Sequence, residues 1–211
     1  KIGKNNGRNM AAIITDMNTP LGRNIGNSLE VIEAIEILKG KGAEDLKYVA
    51  CALASEIVSL SKNINITEAS NLVENAISSG KAYEKLKEWI VAQGGKKEWI
   101  ENPDNFPKAK YSEDIFAEND CYISSMNAEE IGISSVILGA GREKKDDIID
   151  MTAGIILHKK TAEQIKTGDI IATLYTNNEN SIKSAKEKFL SAIEFSDKKP
   201  QDIPLIYEIV R

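Results

Sequence analysis

The sequence predicts an α/β segment over residues 1–104 followed by an α+β domain over residues 105–211, and three observations carry that expectation. The first hundred residues hold one short apolar run, "MAAIIT" at positions 10–15, and then helical periodicity almost without a break. Glu101–Lys110, "ENPDNFPKAK", is polar and carries two prolines, the composition of a linker. Beyond it, short β-type runs are interrupted by two helical stretches, as expected of a partly antiparallel, barrel- or sandwich-like sheet with helices beside it.

Taken in order, "KIGKNNGRN" reads as the end of a helix running through Gly and Asn toward a strand. Residues 10–15 are short, apolar and uncharged, which suits a buried strand of an α/β sheet. One strand is not a sheet, so its neighbours must come from elsewhere. Asp16 opens a loop through Pro20 and Gly26. From Asn27 the spacing Val31, Ala34, Ile35, Leu38 is helical, and Gly40 with Gly42 stops it. A second helix starts near Asp45, with Leu46, Val49, Ala50, Leu53, Ile57 and Leu60 on one face. Thr67–Glu68 opens a third that stops at Gly80, and a fourth runs from Lys81 to Gln93. In the second part the β-type runs are "DIFA", "CYISSM", "AGIILHK", "DIIATLYT" and "PLIYEIV", and the helical stretches are Ala128–Leu138 and Ser181–Ile193. "CYISSMNAEEIG" and "GIILHKKTAEQIKTGD" read as two related strand–turn units, with no longer repeat.

The bulk properties narrow the function classes. A net charge of −5 with lysines spread along the chain argues against a nucleic-acid surface, which needs a clustered basic face. Cys51 and Cys121 lie far apart, with no second Cys or His at ligand spacing. Reduced thiols in a cytoplasmic protein are expected, in place of a disulfide framework or zinc site. No signal peptide and no bilayer-length apolar run is present, so no membrane partner is expected.

Few residues offer chemistry. The only histidine, His158, ends an apolar strand with no carboxylate in sequence reach to orient it, and is expected to face solvent. Lys159–Lys160 sits at a turn such as a lipoyl or biotin carrier would use, but the residues that flank a modified lysine are missing. A lipoyl-like shape without attachment is expected. The loop "TPLGRNIGNSLE" matches neither a P-loop nor a dinucleotide fingerprint. It brings backbone carbonyls to the start of a helix bearing Glu30 and Glu33. A hard cation could take those carbonyls together with one carboxylate; the plain alternative is a first-turn glutamate favoured by the helix dipole.

The combination is more specific than its parts. "ITDMNTPLGRNIGNSLEVIEAIEILKG" resembles the loop-and-helix signature of the pyrimidine-nucleoside and thymidine phosphorylases. "LVENAISSGKAYEKLKEWIVAQGG" resembles the helical stretch that follows, "AEEIGISSVILGAGREKKDDIIDMTAGIILHKKTAEQIKTGDIIATLY" the family's C-terminal domain, and "PLIYEIV" its final strand. The resemblance implies reversible phosphorolysis of pyrimidine (deoxy)nucleosides to free base and (deoxy)ribose 1-phosphate, by an enzyme that is typically a homodimer. It assigns residues 1–104 to the C-terminal part of the central α/β domain and 105–211 to the C-terminal α+β domain. The family's phosphate loop, of the type Lys-His-Ser-Thr-Gly-Gly-Val-Gly-Asp, and its base-holding Arg, Ser and Lys are absent from these residues. The chain is therefore expected to be the C-terminal half only, inactive by itself, with no catalytic residue of its own. The resemblance further implies a potassium- or calcium-type cation held by the carbonyls of Leu21 and Asn24 and the side chain of Glu33, with Asn24 standing where Ala is common. The remaining ligands would come from the missing phosphate loop. The other reading is a non-catalytic binding or carrier module built on the sandwich-like domain.

Overall fold

The computed structural model describes residues 2–142 and 144–211. The chain forms two compact units. One comprises the residues up to Asp16, then Ile35–Lys97 and Ile203–Arg211; the other comprises Met17–Ala34 and Glu98–Asp202. No helix among the described residues is long and apolar enough to cross a membrane.

The first unit begins with a short helix, α1 (Ile2–Asn5), and a strand, β1 (Ala12–Thr15), and ends with the last strand, β9 (Ile206–Val210). β1 and β9 pair antiparallel as a two-stranded sheet, with Ile13 opposite Ile209 and a register shift at Ile14–Thr15. This corrects the expectation of a buried strand. β1 alternates between exposed and half-buried positions, because its one neighbour among the described residues covers one edge and neither face. That neighbour is supplied from within the chain itself, nearly two hundred residues downstream. The pairing is secured at its end by Arg211, whose guanidinium forms a two-nitrogen ion pair with the buried carboxylate of Glu56.

Glu56 lies on α3 (Glu44–Lys62), which packs against α4 (Ile66–Ser78); α4 in turn packs against α5 (Lys81–Ala92). Asn65 caps α4, its side chain accepting the Glu68 amide at 2.9 Å. The face that α3 buries is not the one its apolar spacing predicts. Val49 is buried, but Ala50, Leu53, Ile57 and Leu60 are exposed, and Ser55 and Glu56 are buried in their place. The helix can turn a polar strip inward because each group on it is satisfied. Ser55 and Ser59 donate to the carbonyls of Cys51 and Ile64, each at 2.7 Å, and Glu56 accepts from Arg211.

The second unit holds β2 (Asn24–Ile25), β3 (Tyr111–Phe116), β4 (Cys121–Met126), β5 (Gly154–Leu157), β6 (Gln164–Ile165), β7 (Ile170–Thr176) and β8 (Ile193–Ser196). They form a four-stranded sheet ordered β2-β5-β7-β3 and a three-stranded sheet ordered β6-β4-β8, with antiparallel pairing throughout. Two helices, α7 (Ala128–Leu138) and α8 (Ile182–Ser191), pack on each other and against the strands. Four of the five strands expected in the later part of the chain and both expected helices are present here; the fifth, "PLIYEIV", is β9 of the first unit. β2, β6 and β8 are additional: two are only two residues long, and β8 follows α8 directly without a turn signal. α2 (Asn27–Leu38) and α6 (Lys97–Glu101) complete the element list.

The buried apolar cluster draws its members only from residues 115–193, so this unit has a core of its own. Phe189 on α8 is its largest fully buried side chain, among Ile115, Ile123, Ile131, Leu138 and Leu174. Phe189→Ala is expected to cost about 3–5 kcal/mol of stability in chemical denaturation, the loss typical of an emptied aromatic core site. In the other unit, the amides that β1 and β9 donate across their pairing are expected to be protected from hydrogen exchange to the same degree at every protein concentration. Arg211→Ala should speed their exchange, since it leaves the Glu56 carboxylate buried without its cation. Protection that grows with concentration would mean that β1 pairs with another chain.

Candidate functional site

The loop Met17–Gly26 has little regular structure, so its backbone groups need partners from elsewhere. The helix that follows supplies them. Glu33, on the second turn of α2 and 7% exposed, aims its carboxylate back at the loop. Its Oε1 accepts the Arg23 amide at 2.8 Å and its Oε2 accepts the Asn24 amide at 3.3 Å. Glu30 holds the first-turn position instead. Its side chain accepts the Gly26 amide at 3.1 Å while the Gly26 carbonyl accepts the Glu30 amide at 2.9 Å, a reciprocal cap. The two glutamates therefore divide two roles between them: Glu30 takes the helix-start position, and Glu33 anchors the loop.

The far side of the loop is zipped to β5. Asn24 and Ile25 pair with Ile156 and Ile155, and the Leu157 amide donates to the Arg23 carbonyl at 2.7 Å. Glycines make the approach possible. A Cβ on Gly26, whose φ is +133°, would meet the Ala153 carbonyl oxygen at 2.5 Å, and one on Gly154 would overlap the Ile25 carbonyl. The Arg23 side chain continues the seam, donating to the His158 carbonyl at 2.9 Å and pairing with Glu163 at 2.6 Å. At the start of α2, the Ser28 amide donates to the Met151 carbonyl at 3.1 Å and the Asn27 side chain donates to the Ala140 carbonyl at 2.9 Å. The first of these satisfies an amide that the helix start leaves open.

Of the three residues expected to face a cation, the structure brings Asn24 and Glu33 together directly. Leu21 is on the same loop, two residues before Arg23, with its side chain 40% exposed. The donor set suits a hard ion in kind, oxygen atoms from a carboxylate and carbonyls. It falls short in number, since such ions take six or more oxygens and both Glu33 oxygens already accept an amide hydrogen. Among the described residues, no group of three or more His, Cys, Asp or Glu side chains is placed to hold a metal.

His158 is exposed, as expected, but it does have partners. Its Nε2 lies 2.8 Å from the Thr173 hydroxyl, and that hydroxyl donates to the Asp114 carboxylate at 2.7 Å. The single hydroxyl proton goes to Asp114, so Nε2 carries hydrogen and donates to Thr173. The row runs from the residue just after β5 across β7 to β3, with Asp114 directly opposite Thr173. Such a row stiffens the sheet and does not activate the hydroxyl as a nucleophile. Sequence spacing missed the carboxylate because it lies 44 positions upstream of the histidine and is brought near only by strand register. Lys159 is also occupied: its ammonium pairs with Asp169 at 2.9 Å, which removes the free amine that an acyl carrier presents.

Comparison with known proteins adds a family. Residues 122–196 match the pyrimidine nucleoside phosphorylase C-terminal domain. The chain is 44% identical over 178 residues to a pyrimidine-nucleoside phosphorylase of Staphylococcus epidermidis, covering 84% of this chain and 41% of that protein. It is 42% identical over 181 residues to the Bacillus subtilis enzyme of the same name, covering 85% and 42%. With the Staphylococcus aureus protein of that name the figures are 41% over 198 residues, 93% and 46%. The chain thus spans less than half the length of these curated relatives.

Glu33→Gln is expected to lower stability by about 1–3 kcal/mol in thermal or chemical denaturation, because an amide nitrogen would then face a loop amide that needs an acceptor. Glu30→Gln should cost less, since Glu30 is exposed and accepts the Gly26 amide through one oxygen, a role the glutamine amide oxygen can take over. Equal losses would remove Glu33 from its anchoring role.

Proposed function

Starting from a chain that carries the C-terminal domain of the pyrimidine-nucleoside phosphorylase family, we propose that it is part of an enzyme of nucleoside salvage. The reaction is reversible phosphorolysis. A phosphate oxygen forms a bond to the anomeric carbon of a pyrimidine (deoxy)nucleoside, the glycosidic C–N bond breaks, and the free base leaves with its electron pair. The observation that supports this reading is identity above 40% spread over at least 84% of the chain, beyond the limits of the matched domain. In this reading residues 1–104 belong to the central α/β domain and residues 105–211 to the C-terminal α+β domain. The complete enzyme acts in the cytoplasm as a homodimer on nucleoside and phosphate, with no nucleic acid or membrane as partner.

The loop Leu21–Asn24, braced by Glu33, contributes to the cation site of the complete enzyme, through the Leu21 and Asn24 carbonyls and the Glu33 carboxylate. A potassium- or calcium-type ion there would supply positive charge that ties this loop to the phosphate-binding segment. The 211 residues contain no Lys-His-Ser-Thr-Gly-Gly phosphate loop, so they do not turn over substrate unaided.

Two measurements test the reading. The full-length enzyme should release thymine or uracil from its nucleoside only when phosphate is present, whereas the 211-residue chain releases neither above blank. Phosphate-dependent release by the short chain would overturn the proposed division of labour. In the full-length enzyme, Glu33→Gln should raise the cation concentration for half-maximal activity by tenfold or more, and Glu30→Gln should leave it within about twofold, because a hard cation prefers a charged carboxylate to a neutral amide. Equal shifts from the two variants would take the cation away from Glu33.

A further inference from the structure

The second unit has two sheets, and each ends in a strand whose outer edge is unpaired among the described residues. β3 is last in the order β2-β5-β7-β3, and β8 is last in the order β6-β4-β8. Both strands line one groove of about 1040 Å³, which α8 and the β3–β4 turn complete. An unpaired edge presents a row of backbone donors and acceptors, and proteins usually cover or blunt it. Here the two edges border the same groove.

The lining says what would fit. Phe116 at the end of β3, Phe195 on β8 and Leu190 on α8 are 54%, 45% and 37% exposed, over a floor that includes the buried Ile115 and Ile165. A register shift between Ile115 and Phe116 is the kind of irregularity that re-aims a side chain at a sheet edge. The polar lining is acidic. Glu118, Asp120 and Asp197 border the groove, and none of them forms an ion pair with a lysine or arginine among the described residues. Hydrogen bonds from the Thr167 amide and hydroxyl hold the Asp120 carboxyl below its ordinary range, so it stays charged. The one lysine in the lining, Lys186, is neutralised by Glu113 at 2.9 Å.

We propose that the groove between the β3 and β8 edges takes up an extended segment of another protein as an added strand, one that alternates apolar side chains with lysine or arginine. Main-chain hydrogen bonds to the two edges provide affinity. The pocket among Phe116, Leu190 and Phe195 takes the apolar side chains, and Glu118, Asp120 and Asp197 select the basic ones. The added strand would bridge the open seam between the two sheets.

The test uses three synthetic probes: an acetylated and amidated seven-residue peptide alternating lysine and valine, the same peptide with glutamate for lysine, and the same with proline for valine. The lysine–valine peptide should bind saturably in fluorescence anisotropy and shift the amide resonances of Phe116, Glu118 and Phe195. The glutamate and proline peptides should bind at least tenfold more weakly, the latter because proline has no amide hydrogen to give a sheet edge. Phe195→Ser and Asp197→Lys should each weaken the lysine–valine peptide at least tenfold with the melting temperature unchanged. Should Phe195→Ser not fold, the charge-reversed variant still reads the site. Equal binding of the lysine–valine and lysine–proline peptides would reduce the effect to bulk charge and overturn the proposal, and so would an absence of binding. A sedimentation dimer that Phe195→Ser dissolves would overturn it too, since the occupant would then be a second copy of this chain.

Discussion

The buried carboxylate of Glu33 accepts the amide hydrogens of Arg23 and Asn24, and the arrangement of the loop follows from that contact. With those two amides turned toward α2, the Arg23 carbonyl is left to accept from Leu157 and the short β2 lies against β5. The approach of β2 to β5 then demands glycine at 26 and 154, because a Cβ at either position meets a backbone carbonyl of the other strand. Arg23 extends the same seam through the His158 carbonyl and Glu163. One carboxylate thus replaces the hydrogen bonds that an irregular loop would otherwise owe to water, and it does so from a helix whose own start is closed by a different glutamate. The helix serves as a bracket for the loop.

The same economy of polar groups recurs elsewhere in the molecule. α3 buries Ser55 and Glu56 and leaves Leu53 and Ile57 exposed, and the exchange is tolerated because the serine bonds to its own helix and the glutamate to Arg211. The His158–Thr173–Asp114 row satisfies three polar side chains from just after β5 across β7 to β3. In each case a polar group is buried or half-buried with its partner already in place, so the desolvation it suffers is offset locally. The Arg211–Glu56 pair also explains why the final strand is an integral part of its unit and not a tail. It joins the last residue of the chain to the middle of a helix 155 positions earlier.

Much of this was legible in the sequence. Periodicity and stop signals placed α2 through α5, α7 and α8 to within a few residues, because glycine, asparagine and proline act locally and need no distant partner. The β-type runs located β3, β4, β5, β7 and β9. The loop-and-helix motif and the stretches after it resemble those of the pyrimidine-nucleoside phosphorylases, and the matched domain at residues 122–196 agrees with that resemblance at the level of the family. The pairing of Glu33 with the loop was anticipated only as a neighbourhood, since sequence spacing could not choose between a helix-start role and a long-range one.

The sequence by itself determined the long helices and five of the strands in the later part of the chain, where those helices start and stop, and that the later part of the chain can bury a core. Those features rest on interactions spanning a few residues, and the spacing of apolar and capping residues encodes them directly. Only the tertiary structure decided that β1 takes β9 as its partner, that α3 turns its serines inward, that His158 meets a carboxylate through Thr173, and that two sheet edges border one groove. Each of these depends on strand register or on the satisfaction of a buried polar group by a residue far along the chain. A shift of one residue in register would exchange the two faces of a strand without changing the hydrophobic pattern from which it was recognised.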